Sequence, residues 1–283
     1  MKHILIISLL SCLSTLGVEK PPFPYVQSKA FHVLPETHSD ESGYFSLCEG
    51  KDGRIYVGTA KYGENAYLVE FDPVTEKQRI VVDAHKLCGL TAKGFAAQAK
   101  FHTRNYVGPS GVIYVGTKQG YAKKGDESEY PGGYLITYDP RNDTARNLGM
   151  PYKKQGIADV VADESRGLIY VVTCEDQHWM LYDTKTKKFT ELGPMLTPYA
   201  TTLMDAEGKA HSLTKDFQLA TYDPATKKVT QRPIGIGGKT FTRESRSSIP
   251  TWNLDADGRT AWLILMNDAH LLSIDLSSKG KKV

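Results

Sequence analysis

One feature limits this chain more than any other: a tight turn, a β-branched strand, a polar break and a second strand ending in Asp follow one another five times. The turns and the strands after them read Lys51-Asp52-Gly53 before IYVGTA, Pro109-Ser110-Gly111 before IYVGT, Glu164-Ser165-Arg166-Gly167 before IYVVT, Ala206-Glu207-Gly208 before AHSLT, and Ala256-Asp257-Gly258 before AWLIL. The second strands close on Phe71-Asp72-Pro73, Tyr138-Asp139-Pro140, Tyr182-Asp183, Tyr222-Asp223-Pro224 and Ile274-Asp275. Glycine supplies the positive φ of a tight hairpin, and Asp-Pro followed by Thr and Lys stops a strand in a second turn.

After most of the Asp landmarks comes a short fourth strand (QRIVVD, ARNLGM, FTEL, VTQRP), and before each glycine turn lies a first one (YFSLCEG, YVGPSG, DVVADESRG, TTLMDAEG, TWNLDADG). Four antiparallel strands recurring at roughly 40 to 50 residues are the blades of a β-propeller. The expected fold is therefore all-β, with five blades visible. The longer first interval holds an insertion at residues 84 to 103, and the second blade carries a wide hairpin from Gly120 to Gly133. The fifth unit reaches Ile274-Asp275-Leu276 and then turns polar and basic, so its outer strand is missing. Propellers close by joining first and last strands, which removes exposed edges. The pattern reads either as an unusual five-bladed ring or, the favoured expectation, as part of a six- to eight-bladed ring, nominally seven-bladed.

Met1-Lys2-His3 followed by the apolar run Ile4 to Leu10, with small residues at Thr15-Leu16-Gly17, has the form of an export signal over residues 1 to 17. Its apolar stretch is too short for a helix spanning a bilayer of roughly 30 Å. Residues 18 to 42 then form a lead-in and 43 to 283 the propeller, in a secreted or periplasmic protein. Leu9-Leu10-Ser11-Cys12 loosely resembles a lipoprotein box, which would anchor the chain through Cys12. Cys48, Cys88 and Cys174 are odd in number and widely spaced, forming neither a disulfide framework nor a paired zinc motif.

The net charge of +3, from 35 Lys and Arg against 32 Asp and Glu, is too small to argue for nucleic acid. No nucleic-acid partner is expected, and the chain is expected to act as a monomer. Gly235 to Thr240 imitates a phosphate loop without its spacing or helix, and no Gly-x-Ser-x-Gly elbow occurs. No docking signature for a quinone is present, so no cofactor is expected. Cys174-Glu175-Asp176-Gln177-His178 offers metal-ligand types in one hairpin, but no second cluster at matching spacing.

In a propeller the innermost strands line the channel, and the segments leading into them crowd one mouth. Those segments carry His38, Asp40 and Glu41; His102, Thr103, Arg104 and Asn105; Gln155 and Asp159; Tyr199; and Arg243, Arg246 and Trp252. Cations, imidazoles and phenols converging there suit an acidic ligand, with aromatic faces for sugar rings.

The run KFHTRNYVGPSGVIYVGTKQGY, with EYPGGYLITYDP, IYVVTCEDQHWMLYD and DFQLATYDP, resembles the secreted β-propeller polysaccharide lyases that cleave ulvan, and their uncharacterised bacterial relatives. The likeness spans most of residues 43 to 275, with FHTRN its distinctive part. The resemblance implies β-elimination at a uronic acid, with His102 and Tyr199 as the proton-transfer groups. It also implies a second histidine and an arginine beside the uronate, where alignment places Lys123 and Lys215. Lysine neutralises a carboxylate as a point charge but lacks the bidentate fork of arginine. Arg104, Asn105, Arg246 and Trp252 complete the expected substrate contacts. A non-catalytic propeller that binds a glycan or a partner protein through the same mouth is the alternative.

Overall fold

A computed structural model describes residues 25–41, 45–199, 201–236, 239–240, 251–265 and 271–276. The segment expected to be an export signal, with Cys12, lies outside these residues, as do Arg243 and Arg246. Residues 1–32 and Val33–Val283 are two separate compact units, and all the blades belong to the second.

Blade 1 comprises β1 (Leu47–Glu49), β2 (Ile55–Gly58), β3 (Tyr67–Asp72) and β4 (Lys77–Asp83). The short helix α1 (Ala84–Cys88), capped by the Asp83 carboxylate accepting from the Lys86 N–H, opens the inserted connection. Blade 2 holds β5 (Lys100–Phe101), β6 (Tyr106–Val107), β7 (Ile113–Lys118), β8 (Leu135–Asp139) and β9 (Thr144–Gly149). Blade 3 is β10 (Gly156–Asp163), β11 (Leu168–Cys174), β12 (Trp179–Asp183) and β13 (Lys188–Glu191); blade 4 is β14 (Leu203–Met204), β15 (Ala210–Leu213), β16 (Gln218–Asp223) and β17 (Lys228–Pro233). A small hairpin, β18 (Gly235–Ile236) with β19 (Lys239–Thr240), leads to blade 5, whose described strands are β20 (Thr251–Leu254), β21 (Thr260–Ile264) and β22 (Leu271–Asp275). Every strand pair is antiparallel and follows chain order from inner to outer strand. The chain is a β-propeller, as its repeat implies.

Two repeated side chains and one repeated backbone turn explain the repeat. In blades 1 to 4 the Asp that ends the third strand accepts backbone N–H groups of the turn after it: Val74 and Thr75 at Asp72, Arg141 at Asp139, Lys185 and Thr186 at Asp183, and Ala225 at Asp223. Four residues beyond each Asp the chain passes through the left-handed region, at Glu76, Asp143, Lys187 and Lys227, which turns it back into the outer strand. At the opposite end of the blade, the Thr closing the second strand accepts the N–H that opens the return path: Thr59 from Tyr67, Thr117 from Tyr134, Thr173 from His178, and Thr214 from Gln218.

The apolar core lies between blades. Strand alternation sends Ile113 and Val115 against Tyr56 and Leu68 of blade 1, while Tyr114 packs with Ile169 and Val171 of blade 3. Blades 3, 4 and 5 share the cluster containing Trp179, Leu213, Leu219, Trp252 and Leu263. Each such buried side chain contributes about 1.5–3 kcal/mol. Gly116 permits a close approach of blades 2 and 3: a Cβ there would lie 2.4 Å from the Ile157 side chain of blade 3 and 2.8 Å from that of Thr103. Among the described residues no helix is long and apolar enough to cross a membrane.

Candidate functional site

The distinctive FHTRN segment is a break in the inner strand of blade 2. Phe101 pairs with Thr117 and Tyr106 with Tyr114, so His102, Thr103, Arg104 and Asn105 together face only Val115 and Gly116. Two extra residues bulge the strand, and bulges re-aim side chains. The four alternate in role. Thr103 is fully buried, its hydroxyl accepting from the Gly116 N–H, and Asn105 accepts from the Ser46 hydroxyl while donating to the Tyr56 carbonyl. His102 and Arg104 are turned out into a cavity.

That cavity, about 480 Å³, lies at the strand ends opposite the glycine turns and is lined from all five blades or their lead-ins. Phe45 precedes blade 1; Lys100, His102, Arg104, Lys118 and Tyr121 come from blade 2; Cys174, Glu175 and Gln177 come from blade 3; Tyr199 precedes blade 4 and Thr251 opens blade 5. Arg104 ties these walls together. Its Nε lies 3.6 Å from the Asp159 carboxylate on β10, and its Nη1 donates to Thr251 Oγ1 and Asn253 Oδ1 on β20 at 3.3 and 3.4 Å.

The bulge also sets Lys100 directly opposite Lys118 across the ladder. Like charges facing each other on neighbouring strands oppose folding, so this pair needs compensation. Lys118 Nζ meets Glu175 Oε1 at 2.9 Å. Burial works against its ammonium, but the Cys174 and Glu175 contacts overcome this and hold its pKa above the usual lysine value. Lys100 has no carboxylate partner among the described residues; its Nζ sits 4.9 Å from the centre of the Tyr62 ring and 5.4 Å from that of Tyr121. Burial, with Lys118 adding repulsion, pushes the Lys100 pKa down.

Burial and then the two lysines lower the His102 pKa to about 4, so the imidazole is neutral at pH 7. The Phe45 ring packs against it edge-on, centroids 5.4 Å apart. Burial pushes Asp159 up to about 6, against the pull of Arg104 and of the Thr202 N–H. Tyr199, half exposed and held at φ 64°, presents its phenol at the rim.

Of the residues singled out in the sequence, His102, Arg104 and Tyr199 meet in this cavity, and others do not. Trp252 is fully buried between blades 4 and 5, its indole N–H donating to the Thr201 carbonyl, and has no face left for a sugar. Asn105 holds the bulge rather than a ligand. Lys123 lies exposed in the β7–β8 loop and Lys215 in the β15–β16 hairpin; neither lines the cavity. Lys100 and Lys118 supply the cations there instead. His178 stacks on Tyr152 and meets Glu191 at 2.7 Å, and among the described residues no three His, Cys, Asp or Glu side chains gather as metal ligands. Cys48, Cys88 and Cys174 are free thiols, the first two pushed up to about 12 by burial.

No family model and no curated protein matches this chain. Solved structures do. The extracellular domain of the hybrid two-component system BT3049 from B. thetaiotaomicron superposes with a TM-score of 0.51 at 14% identity over 82% of this chain and 27% of that one. The Dos1 propeller gives 0.52 at 14% identity over 79% of this chain and 50% of its own. The chain thus spans half or less of the length of these structures. At such identity the likeness is one of fold, and the fold is the β-propeller.

Proposed function

We propose that the cavity binds a uronate-bearing glycan and that the protein is an exported polysaccharide lyase acting by β-elimination. The observation that carries this reading is the meeting of a neutral imidazole, a phenol and three cationic side chains in one cavity, on the segment whose sequence resembles the ulvan-cleaving lyases.

The C5 proton of a uronic acid is barely acidic until its carboxylate is neutralised, and the cationic wall of Lys100, Lys118 and Arg104 suits that task. His102, unprotonated at neutral pH, is able to take the C5 proton. The electron pair left on C5 forms the C4–C5 double bond as the C4–O4 bond breaks. Tyr199 supplies the proton to the departing oxygen and is reprotonated from solvent. Positioned acid–base groups of this kind contribute about 10²–10⁴ in rate.

The test incubates the full chain with ulvan, pectate and glycosaminoglycans and follows the ultraviolet absorbance of the unsaturated uronate. Turnover that disappears in Tyr199→Phe supports the reading; no product from any of the three polymers overturns it. A second reading, glycan binding without turnover, draws on the depressed basicity of His102, since an imidazole with a pKa of about 4 is a weak base. It expects saturable binding to one of these polymers with no product.

A further inference from the structure

The three cations of the cavity are not equivalent. Arg104 is committed: its carboxylate partner Asp159 is only 4% exposed, and its Nη1 reaches two side chains of blade 5. An arginine strapped to a buried acid on one blade and to two side chains of another is a strut. Lys118 differs, because its partner Glu175 is 70% exposed and stands on the β11–β12 loop at the cavity wall. A buried carboxylate cannot leave its cation without a large desolvation cost, whereas an exposed one gives up an interaction worth little.

The charge balance points the same way. Lys100 and Lys118 face each other in register, and Glu175 is the one carboxylate that pairs with either among the described residues. The Gln119 amide also donates to Glu175 Oε1, at 3.4 Å. A carboxylate in the place of Glu175 would meet one ammonium, one amide and, across the ladder, the second ammonium backed by two tyrosine rings.

We infer that Lys118, Lys100 and Gln119 form the carboxylate subsite of the cavity, and that Glu175 is its resident occupant, displaced when an anionic sugar binds. This rests on the anionic-glycan reading above and narrows it: Arg104 shapes the cavity, while the lysine pair selects the ligand. The ligand class is a saccharide with a carboxylate on the ring, and a neutral sugar of the same shape is refused because displacing Glu175 without replacing its charge leaves the lysine pair uncompensated.

Calorimetry on the full-length protein with glucuronate, galacturonate and glucose provides the test. Glu175→Gln keeps the size of an exposed side chain and removes only the charge that compensates the lysine pair, so its fold is checked by a thermal melt before titration. It tightens uronate binding about threefold to fivefold, the scale of one exposed ion pair, and leaves glucose unbound. Lys118→Met abolishes uronate binding, and in that background Glu175→Gln brings no gain, the coupling expected of groups that share a site. Glu129→Gln, which removes an exposed carboxylate paired with Lys154 outside the cavity, changes nothing. Wild-type binding that Glu175→Gln leaves equal or weaker overturns the inference alone. Uronate binding by neither form overturns it together with the anionic-glycan reading.

Discussion

The two ends of the blades handle charge in opposite ways. At the glycine-turn end, four arginines find a carboxylate in their own turn or that of the preceding blade: Arg54 with Asp52, Arg141 with Asp139, Arg166 with Asp163, and Arg259 with Glu207, at 2.7 to 3.4 Å. Successive turns are also linked, Glu164 accepting from Ser110 of the preceding blade and Arg166 donating to the Glu207 carbonyl of the following one. At the mouth, two lysines face each other, a histidine is kept neutral beside them and a carboxylate is buried. Locally paired charge stabilises a repeat. Charge left over at one place, held there by the packing of the blades, is what a ligand can use.

The largest test of this contrast is chemical. Tyr199→Phe and His102→Asn are expected to lower turnover by about 10²–10⁴ while glycan binding persists. Losses below about tenfold would remove both from the reaction.

Next is the scaffold of the mouth. Gly116→Ala drives a methyl into Ile157 and Thr103, and a destabilisation of about 1–3 kcal/mol is expected from denaturant melts. Gly53, at φ 77° with open space around its Cα, meets no clash on the same change and is expected to cost only the left-handed backbone strain, about 1–2 kcal/mol. A Gly116→Ala cost below about 0.5 kcal/mol would mean that the bulge is not held by close packing.

Among the cations, Lys100→Met is expected to weaken uronate binding about tenfold, a loss near 1.4 kcal/mol. Lys123→Ala and Lys215→Ala, outside the cavity, are expected to stay within about twofold. The reverse order would restore the assignment that alignment alone suggests.

The smallest effect is on pH dependence. Folding lowers His102 from 6.5 to about 4, so the unfolded chain holds a proton there that the folded one lacks, and stability falls as pH drops from about 6.5 to 4. Folding raises Asp159 from 3.8 to about 6, so the folded chain keeps a proton that the unfolded one loses, and stability falls as pH rises over nearly the same window. The two slopes oppose each other. His102→Asn exposes the Asp159 slope and Asp159→Asn the His102 slope, each measurable as Tm against pH. At the turn end, backbone donors lower Asp72 and Asp183, and Arg141 lowers Asp139. Their contribution is lost only as pH falls below about 4. A flat response of both mouth variants between 4 and 6.5 would erase this difference between the ends.

Much of the site is written in KFHTRN and its neighbours, and the reason the rest is not legible is one of register. Extending the pairing of Tyr106 with Tyr114 along the hairpin would place Lys100 opposite Gly120; the bulge of two extra residues brings it opposite Lys118 instead. Nothing in the composition of the segment announces that shift, so both lysines read as ordinary strand ends. Trp252 misleads for a related reason. It stands near the mouth in sequence order, yet strand alternation sends its ring into the core between blades. Glu175 falls in a hairpin whose residue types suggest a metal, and only its distance to Lys118 gives it another role.

The blades themselves are local objects. Glycine turns, the terminal Asp that binds its own turn and the Thr that closes the next hairpin act over a few residues, so the sequence by itself determined a β-propeller repeat. His102, Arg104 and Tyr199 stand 97 residues apart or less in a chain that has many similar side chains, and no short-range rule brings them together. Which of them share a cavity, which lysines join them and which carboxylate faces those lysines depend on a bulge and on blades packed face to face. Those are contacts between distant segments, and only the tertiary structure decided them.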